Sequence, residues 1–273
     1  MIRVLMLGDI IGVPGRAMLQ KHLPHLKKQY NADVVIVNGE NSSSDGKGIT
    51  PRIMHFFKHI GVDVVTSGNH IWQKRDIYQY LHNNKDLLRP ANFPSSCPGT
   101  GATVITVNGH MLAVVNIQGR SFMRELVSCP FRAADSLLTY LTPKTRAIIV
   151  DFHTETTSEK GALAYYLDGK ISALVGTHTH VQTADERILP QGTAFITDLG
   201  MAGAVNSIIG VKKDALIQSI ITQMPVRFEV EEQGPFSLTG VCIEIDPATG
   251  KSNSIERIRI VDDALTLTGF EEK

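Results

Sequence analysis

Arg3-Val4-Leu5-Met6-Leu7-Gly8-Asp9 is a short apolar run that stops at a glycine and a carboxylate. A run this short and this apolar reads as a buried strand entering a loop. The same phrase then recurs. Gly15 to Tyr30 reads as a helix with Met18, Leu19, Leu23 and Leu26 on one side, disturbed by Pro24. Asp33–Val37 is a second buried strand, ending in Asn38-Gly39-Glu40-Asn41. After the polar loop Ser42–Gly48, Thr50-Pro51 starts a helix as an N-cap followed by proline in the first turn, and Gly61 ends it. Val62–Thr66 is a third strand, ending in Ser67-Gly68-Asn69-His70, and a helix from about Lys74 to Asn83 follows.

The middle of the chain changes character. Thr103–Val107 and Met111–Asn116 flank Asn108-Gly109-His110, which predicts a tight hairpin. Ala133–Leu141 reads as a helix, and Ala147–Val150 as a strand ending in Asp151-Phe152-His153. Ser158 begins a helix to Leu167, and Ala173–Val175 is a strand ending in Gly176-Thr177-His178-Thr179-His180. A helix over Lys213–Gln223 precedes a tail that reads from Val226 as strands, with a turn at Pro247–Gly250. Strands alternate with helices first and hairpins come later. That predicts an α/β sandwich, with central mixed β-sheets flanked by helices, rather than one doubly wound sheet. No linker, repeat or low-complexity tract divides the chain, so residues 1–273 are expected to form a single domain.

Composition narrows the function. The 273 residues carry 27 Lys+Arg against 27 Asp+Glu, so the formal charge is zero, with ten histidines in reserve. A neutral balance argues against a basic nucleic-acid coat or a polybasic membrane patch. At 42% hydrophobic the chain can bury a sizeable core. Cys97, Cys129 and Cys242 fit neither a metal clip nor a disulfide ladder, which suggests a reducing compartment. Met1–Ile10 is too short and too interrupted by Arg3 and Asp9 for a leader or a spanning helix. A cytoplasmic protein without membrane attachment is expected.

The chemistry gathers at strand ends. Asp9, Glu40 with Asn41, Asn69 with His70, His153, and His178 with His180 all follow apolar runs. In α/β sheets such ends converge on one crevice, so residues some thirty apart can meet. Singly, each has an ordinary reading: Asp9 a cap, Glu40 a solvated turn residue, His153 a satisfied core histidine. Jointly the ordinary reading needs a coincidence at every strand end. Two carboxylates, amide oxygens and three imidazoles, with no thiolate, suit iron, manganese or zinc better than calcium. Seven such donors are too many for one open ion and about right for two that share a carboxylate. His178 and His180, two apart, would project to the same side of an extended segment. Arg120 reads as a surface arginine. His22, His25, His55, His59, His82 and His110 read as solvated.

Gly8-Asp9, Glu40, Gly68-Asn69-His70, His153 and Gly176-Thr177-His178-Thr179-His180, in that order, resemble the calcineurin-like metallophosphoesterase superfamily. Two departures mark a branch. Ile11 stands where the superfamily usually has the histidine of Asp-x-His, and Asn38-Gly39-Glu40-Asn41 stands where it usually has Gly-Asp-x-x-Asp. Both departures, with Asp151-Phe152-His153 and Thr156-Thr157-Ser158-Glu159-Lys160, are similar to the YmdB-like bacterial phosphodiesterases. The likeness extends to Asn116–Arg120 and Ser207–Val211, while Thr154, Ala202 and Ala204 depart locally.

The resemblance implies a metal-dependent phosphodiesterase acting on small phosphodiesters, 2′,3′- or 3′,5′-cyclic nucleotides among them. It implies two metal ions per chain, iron first, with manganese or zinc as alternatives. Asp9 and His180, helped by Asn41, would bind one ion. Asn69, His153 and His178 would bind the other, and Glu40 would bridge them. His70 would be the general acid. The mechanism expected is in-line attack by a hydroxide bridging two ions about 3.5–4 Å apart. The alternatives are a phosphomonoesterase or nucleotidase, and a metal-binding regulatory protein acting on RNA turnover without catalysis. The expected partner is a small phosphodiester or nucleotide, with no stable nucleic-acid binding and room for a homo-oligomer.

Overall fold

Along Ile2–Ile10, the first strand (β1), Val4 and Met6 face one way and Leu5 and Leu7 the other, and all four are fully buried. A strand whose alternating side chains are apolar and buried on both faces must lie between two layers. The computed structural model, which describes residues 1–268 and Phe270, places β1 inside a six-stranded sheet. Its order is β12 (Ser252–Asp262), β11 (Phe236–Ile245), β10 (Met201–Ala204), β1, β2 (Val34–Asn38) and β3 (Val64–Thr66). A second six-stranded sheet runs β4 (Ala102–Val107), β5 (His110–Gln118), β6 (Ala147–His153), β7 (Ala173–Thr177), β9 (Ala194–Ile196) and β8 (Arg187–Ile188). Both are mixed: β10, β1, β2 and β3 are parallel, as are β5, β6, β7 and β9, with antiparallel strands outside them.

The two faces of β1 define the layers. Val4 and Met6, with Val34 and Ile36, meet Leu112, Val114, Ile149 and Val175 of the second sheet in one apolar cluster. Leu5 and Leu7, with Val35 and Val37, instead pack on Met18, Leu23, Ile53 and Phe57 of helices α1 (Gly12–Gln29) and α2 (Pro51–His59), with Ile77 and Leu81 of α3 (Ile77–Asn83) beside them. On the far side Ile117, Val150, Phe152 and Leu174 pack on Ala134, Leu163 and Leu167 of α4 (Pro130–Leu141) and α5 (Thr157–Leu167). The order helices, sheet, sheet, helices is the expected α/β sandwich. Helix α6 (Lys213–Thr222) buries none of its residues and stands outside these layers. No helix among the described residues is long and apolar enough to cross a membrane.

Several local expectations hold. Thr50 Oγ1 accepts from Ile53 N ahead of Pro51, and Gly61 follows α2 with φ +92°. Asn108 and Gly109 both take positive φ between the paired residues Val107 and His110, as a two-residue hairpin turn requires. Others shift. β1 runs on through Gly8 and Asp9 to Ile10, because Asp9 pairs with Asn38 on one side and Met201 on the other. α1 begins at Gly12 and passes Pro24 unbroken; Pro24 is exposed, so water can take the carbonyl its ring strips of a partner. The chain from Val226 stays irregular until Phe236, apart from a single bridge between Val211 and Val230. His22 is half-buried rather than solvated, with Nε2 2.8 Å from Asp262 Oδ2.

Bonds between the sheets set the position of the site. Asn38 Nδ2 donates to Asp151 Oδ2 at 3.3 Å, and Ser67 N to Asn116 Oδ1 at 3.2 Å. They bring the carboxyl ends of the parallel strands of both sheets along one edge.

Candidate metal centre

All eight residues singled out in the sequence reach that edge. Asp9 lies near the end of β1, Glu40 and Asn41 just past β2, and Asn69 and His70 just past β3. His153 is the last residue of β6, and His178 and His180 follow β7. Asp9, Glu40, Asn41 and His153 are buried, while Asn69, His70, His178 and His180 keep some exposure.

One group forms around His153. Its Nε2 stands 3.2 Å from Glu40 Oε1, 3.0 Å from Asn69 Oδ1 and 3.0 Å from His178 Nδ1. Glu40, His153 and His178 each offer a ligand atom within 4.8 Å of the other two. The second group forms around Asn41. Its Nδ2 is 3.0 Å from His180 Nε2, which is 3.9 Å from Asp9 Oδ1. Its Oδ1 is 2.6 Å from His70 Nδ1. The groups join where His178 N donates to Asp9 Oδ2 at 3.2 Å and His70 N to Glu40 Oε2 at 3.0 Å.

The two histidines after β7 do not project to one side. His178 has φ +104° and His180 φ +64°, so the backbone has left the strand conformation that a shared side requires. His178 turns into the His153 group and His180 into the Asn41 group, where its Nδ1 also meets Ile209 O at 2.8 Å.

A buried polar network behind the site fixes His153. Asp151 Oδ1 accepts from Thr177 Oγ1 at 2.7 Å, and Oδ2 accepts from Thr66 Oγ1 and from Asn38 Nδ2. Thr177 has spent its proton on Asp151, so it can only accept from His153 Nδ1, 2.9 Å away. Nδ1 therefore carries a proton, and Nε2, turned toward Glu40, Asn69 and His178, holds the ring's other proton against Glu40 and offers a lone pair once that proton leaves. From the solvent side Glu155 Oε2 approaches His178 Nε2 at 3.3 Å, and Thr154 Oγ1 donates to Glu159. Asn38, Thr66 and Thr177 were not singled out as site residues, yet each is the last residue of its strand, the same position that flagged the histidines.

Charge is concentrated here. Burial pushes the Asp9 carboxyl up to about 7 against the pull of His180 and His153. Burial also acts upward on Glu40, but the His153 charge and hydrogen bond overcome it and hold that carboxyl well below the usual range. His153 is the converse: burial opposes its protonation, and Glu40 raises it to about 9. Burial, then His153, lowers His178 to about 3, and burial lowers His70.

Asp9 Oδ1 is buried with no hydrogen-bond partner among the described residues. A buried unpaired carboxylate oxygen costs free energy unless something cationic meets it. Beside it, among the described residues, stand nitrogen and oxygen donors in two groups that the Asp9 and Glu40 carboxylates join. These residues fit hard or borderline divalent ions. Arg120 is exposed, in keeping with its reading as a surface residue.

The family model described as YmdB-like protein matches residues 5–258. The 2′,3′-cyclic-nucleotide 2′-phosphodiesterase of Bacillus subtilis (strain 168) is 48% identical over 262 residues, spanning 96% of this chain and 98% of its own. The crystal structure of a novel phosphatase from Mycoplasma pneumoniae superposes with a TM-score of 0.90 at 38% identity, covering 96% of this chain and 95% of that one. A putative 5′-nucleotidase from Staphylococcus aureus shares the fold alone, with a TM-score of 0.63 at 15% identity, covering 96% of this chain and 55% of that one. The match runs through every strand end that carries a candidate ligand, and the departures at Ile11 and Glu40 lie inside it: the chain belongs to the YmdB-like family.

Proposed function

We infer that this chain is a phosphoric diester hydrolase that opens small cyclic phosphodiesters, with 2′,3′-cyclic nucleotides as the leading substrates. The observation that carries the reading is the unpartnered Asp9 oxygen beside the Glu40–His153–His178 cluster. The 48% identical relative, named as a 2′,3′-cyclic-nucleotide 2′-phosphodiesterase, supports the substrate class. The whole chain then acts as one domain with one site. Its free thiols at Cys97, Cys129 and Cys242 suit a reducing cytoplasm.

In this reading Asp9, Asn41 and His180 would hold one divalent ion and Asn69, His153 and His178 a second, with Glu40 a donor to both. Iron is the first choice and manganese or zinc fit the same donors. Such ions supply Lewis acidity, a water that ionises near neutral pH and counter-charge for phosphoryl oxygens.

The chain's own groups do the rest. Thr177 and Asp151 keep a proton on His153 Nδ1, so the proton that leaves when an ion binds would come from Nε2. His70 Nδ1–H donates to Asn41 Oδ1, which leaves His70 Nε2 as the atom able to carry a proton to a leaving oxygen. Burial keeps His70 neutral in the free protein, and an arriving phosphate anion favours its charged form. Water is consumed, the phosphorus–O2′ bond breaks, the 2′ oxygen takes the proton and a 3′-phosphate leaves.

The test is turnover of 2′,3′-cyclic AMP, 3′,5′-cyclic AMP, bis-p-nitrophenyl phosphate and p-nitrophenyl phosphate, with manganese(II) or iron(II) supplied. Cleavage of 2′,3′-cyclic AMP to the 3′-phosphate, ahead of the other three, is expected. Faster turnover of the monoester, or none of any diester, would overturn the reading.

A further inference from the structure

The loop that carries His178 and His180 needs something to hold it. Both residues have positive φ, a conformation that costs free energy in a residue with a β-carbon. Between them Thr179 N donates to Asp198 Oδ2 at 3.1 Å. Asp198 lies two residues past the end of β9 and is fully buried. Its other oxygen, Oδ1, accepts from Gly200 N at 2.8 Å, and Gly200 O accepts in turn from Asp9 N at 3.0 Å. One carboxylate therefore ties down the peptide between two candidate ligands and, through Gly200, the strand end that carries a third.

A fully buried carboxylate this near Asp9 needs a counter-charge, and α5 supplies one. Lys160 is also fully buried, and its Nζ lies 2.6 Å from Asp198 Oδ2. The close packing leaves no slack: a β-carbon on Gly176 would lie 1.8 Å from Thr197 O and 2.7 Å from Lys160 Cδ, and one on Gly8 would lie 2.0 Å from Gly200 O.

We propose that Asp198 is a positioning residue for the metal centre, holding the 178–180 loop and the end of β1 in their ligand geometry, with Lys160 as its buried partner. The proposal rests on the metal-site reading above. Both Asp198 oxygens are taken up by Thr179 N, Gly200 N and Lys160 Nζ. The carboxylate acts through Thr179 N and Gly200 N.

The test compares wild type with Asp198→Asn and Asp198→Asn/Lys160→Met. The double variant removes both charges at nearly constant volume, a change buried ion pairs tolerate well when nothing else depends on them. Each protein is stripped with chelator, its thermal midpoint recorded, and manganese(II) binding measured by calorimetry. The expected result is a double variant that melts close to wild type yet binds manganese(II) about 10–100-fold more weakly, the usual loss when a support behind metal ligands is removed. Folded variants with unchanged affinity would overturn the proposal and leave the metal-site reading standing. Two variants that fail to fold would make the pair a folding element and overturn the positioning role. A wild type that binds no manganese(II), iron(II) or zinc(II) would overturn the metal-site reading, and this proposal with it.

Discussion

Thr177 Oγ1 stands 2.9 Å from His153 Nδ1 while donating its own proton to Asp151, so a hydroxyl and a carboxylate on β7 and β6 choose the tautomer that the buried imidazole adopts once its Nε2 proton leaves. Thr177→Val keeps the shape and removes both bonds. His153 then has no acceptor for Nδ1–H, and Asp151 loses a donor. Metal affinity is expected to fall about 10–100-fold, as for other supports of ligating histidines. Stability is expected to fall by about 1–3 kcal/mol for the polar groups left unpaired. Metal titration and urea unfolding read the two effects, and wild-type affinity in a correctly folded variant would refute the tautomer argument.

Gly68 is required by the ring, not by a turn. A β-carbon there would lie 2.1 Å from His153 Cδ2 and 2.3 Å from Nε2. Gly68→Ala must displace either the imidazole or the 67–69 backbone, and overpacking of this kind costs roughly 1–3 kcal/mol. The variant is expected to fold and to lose metal, because the displaced atom is the one that Glu40, Asn69 and His178 surround. Metal content of purified Gly68→Ala equal to wild type would show that the pocket yields elsewhere.

The strand ends were legible because each combined two local signals, an apolar run and a polar stop. That sufficed to place Asp9, Glu40, His153 and the two late histidines on one edge. It did not show that Val4 and Leu5 serve different layers, since a strand buried on both faces has no alternation in its sequence. Nor could spacing show that His178 and His180 diverge, because the twist lies in backbone angles that nothing in Thr-His-Thr-His announces. Asn38, Thr66, Thr177 and Asp198 were hidden for another reason. Their partners lie 113 (Asn38), 85 (Thr66), 26 (Thr177) and 38 (Asp198) residues away, and short polar side chains carry no mark of distant contacts.

In the proposed function His70 is the residue at which catalysis and metal binding come apart. Its Nδ1 is committed to Asn41 and its Nε2 is not among the atoms grouped around His153. His70→Ala is expected to keep near-normal metal content and to lose about 10²–10⁴ in kcat, the usual range for a missing general acid. The loss should shrink for a diester whose leaving group is a good nitrophenolate, since that oxygen leaves without a proton. An equal loss on both substrates would assign His70 to positioning instead.

Asp262 gives the fold a measurable acid edge. Its Oδ2 lies 2.6 Å from Lys21 Nζ and 2.8 Å from His22 Nε2, which ties α1 to β12. The Lys21 hydrogen bond chiefly, then that of His22, lowers its carboxyl to about 2. A carboxyl lowered by folding stabilises the native state at pH values above its ordinary range. That contribution declines as the pH drops below about 4 and is gone once the folded group protonates near 2. Lys21 is 44% exposed, so the pair is screened and contributes about 0.5–1 kcal/mol. Asp262→Asn is therefore expected to be less stable than wild type by that amount at pH 7, with the gap closing between pH about 4 and 2. Urea midpoints across that range test it. A gap that stays constant into acid would mean that the substitution acts through packing and not through the ion pair.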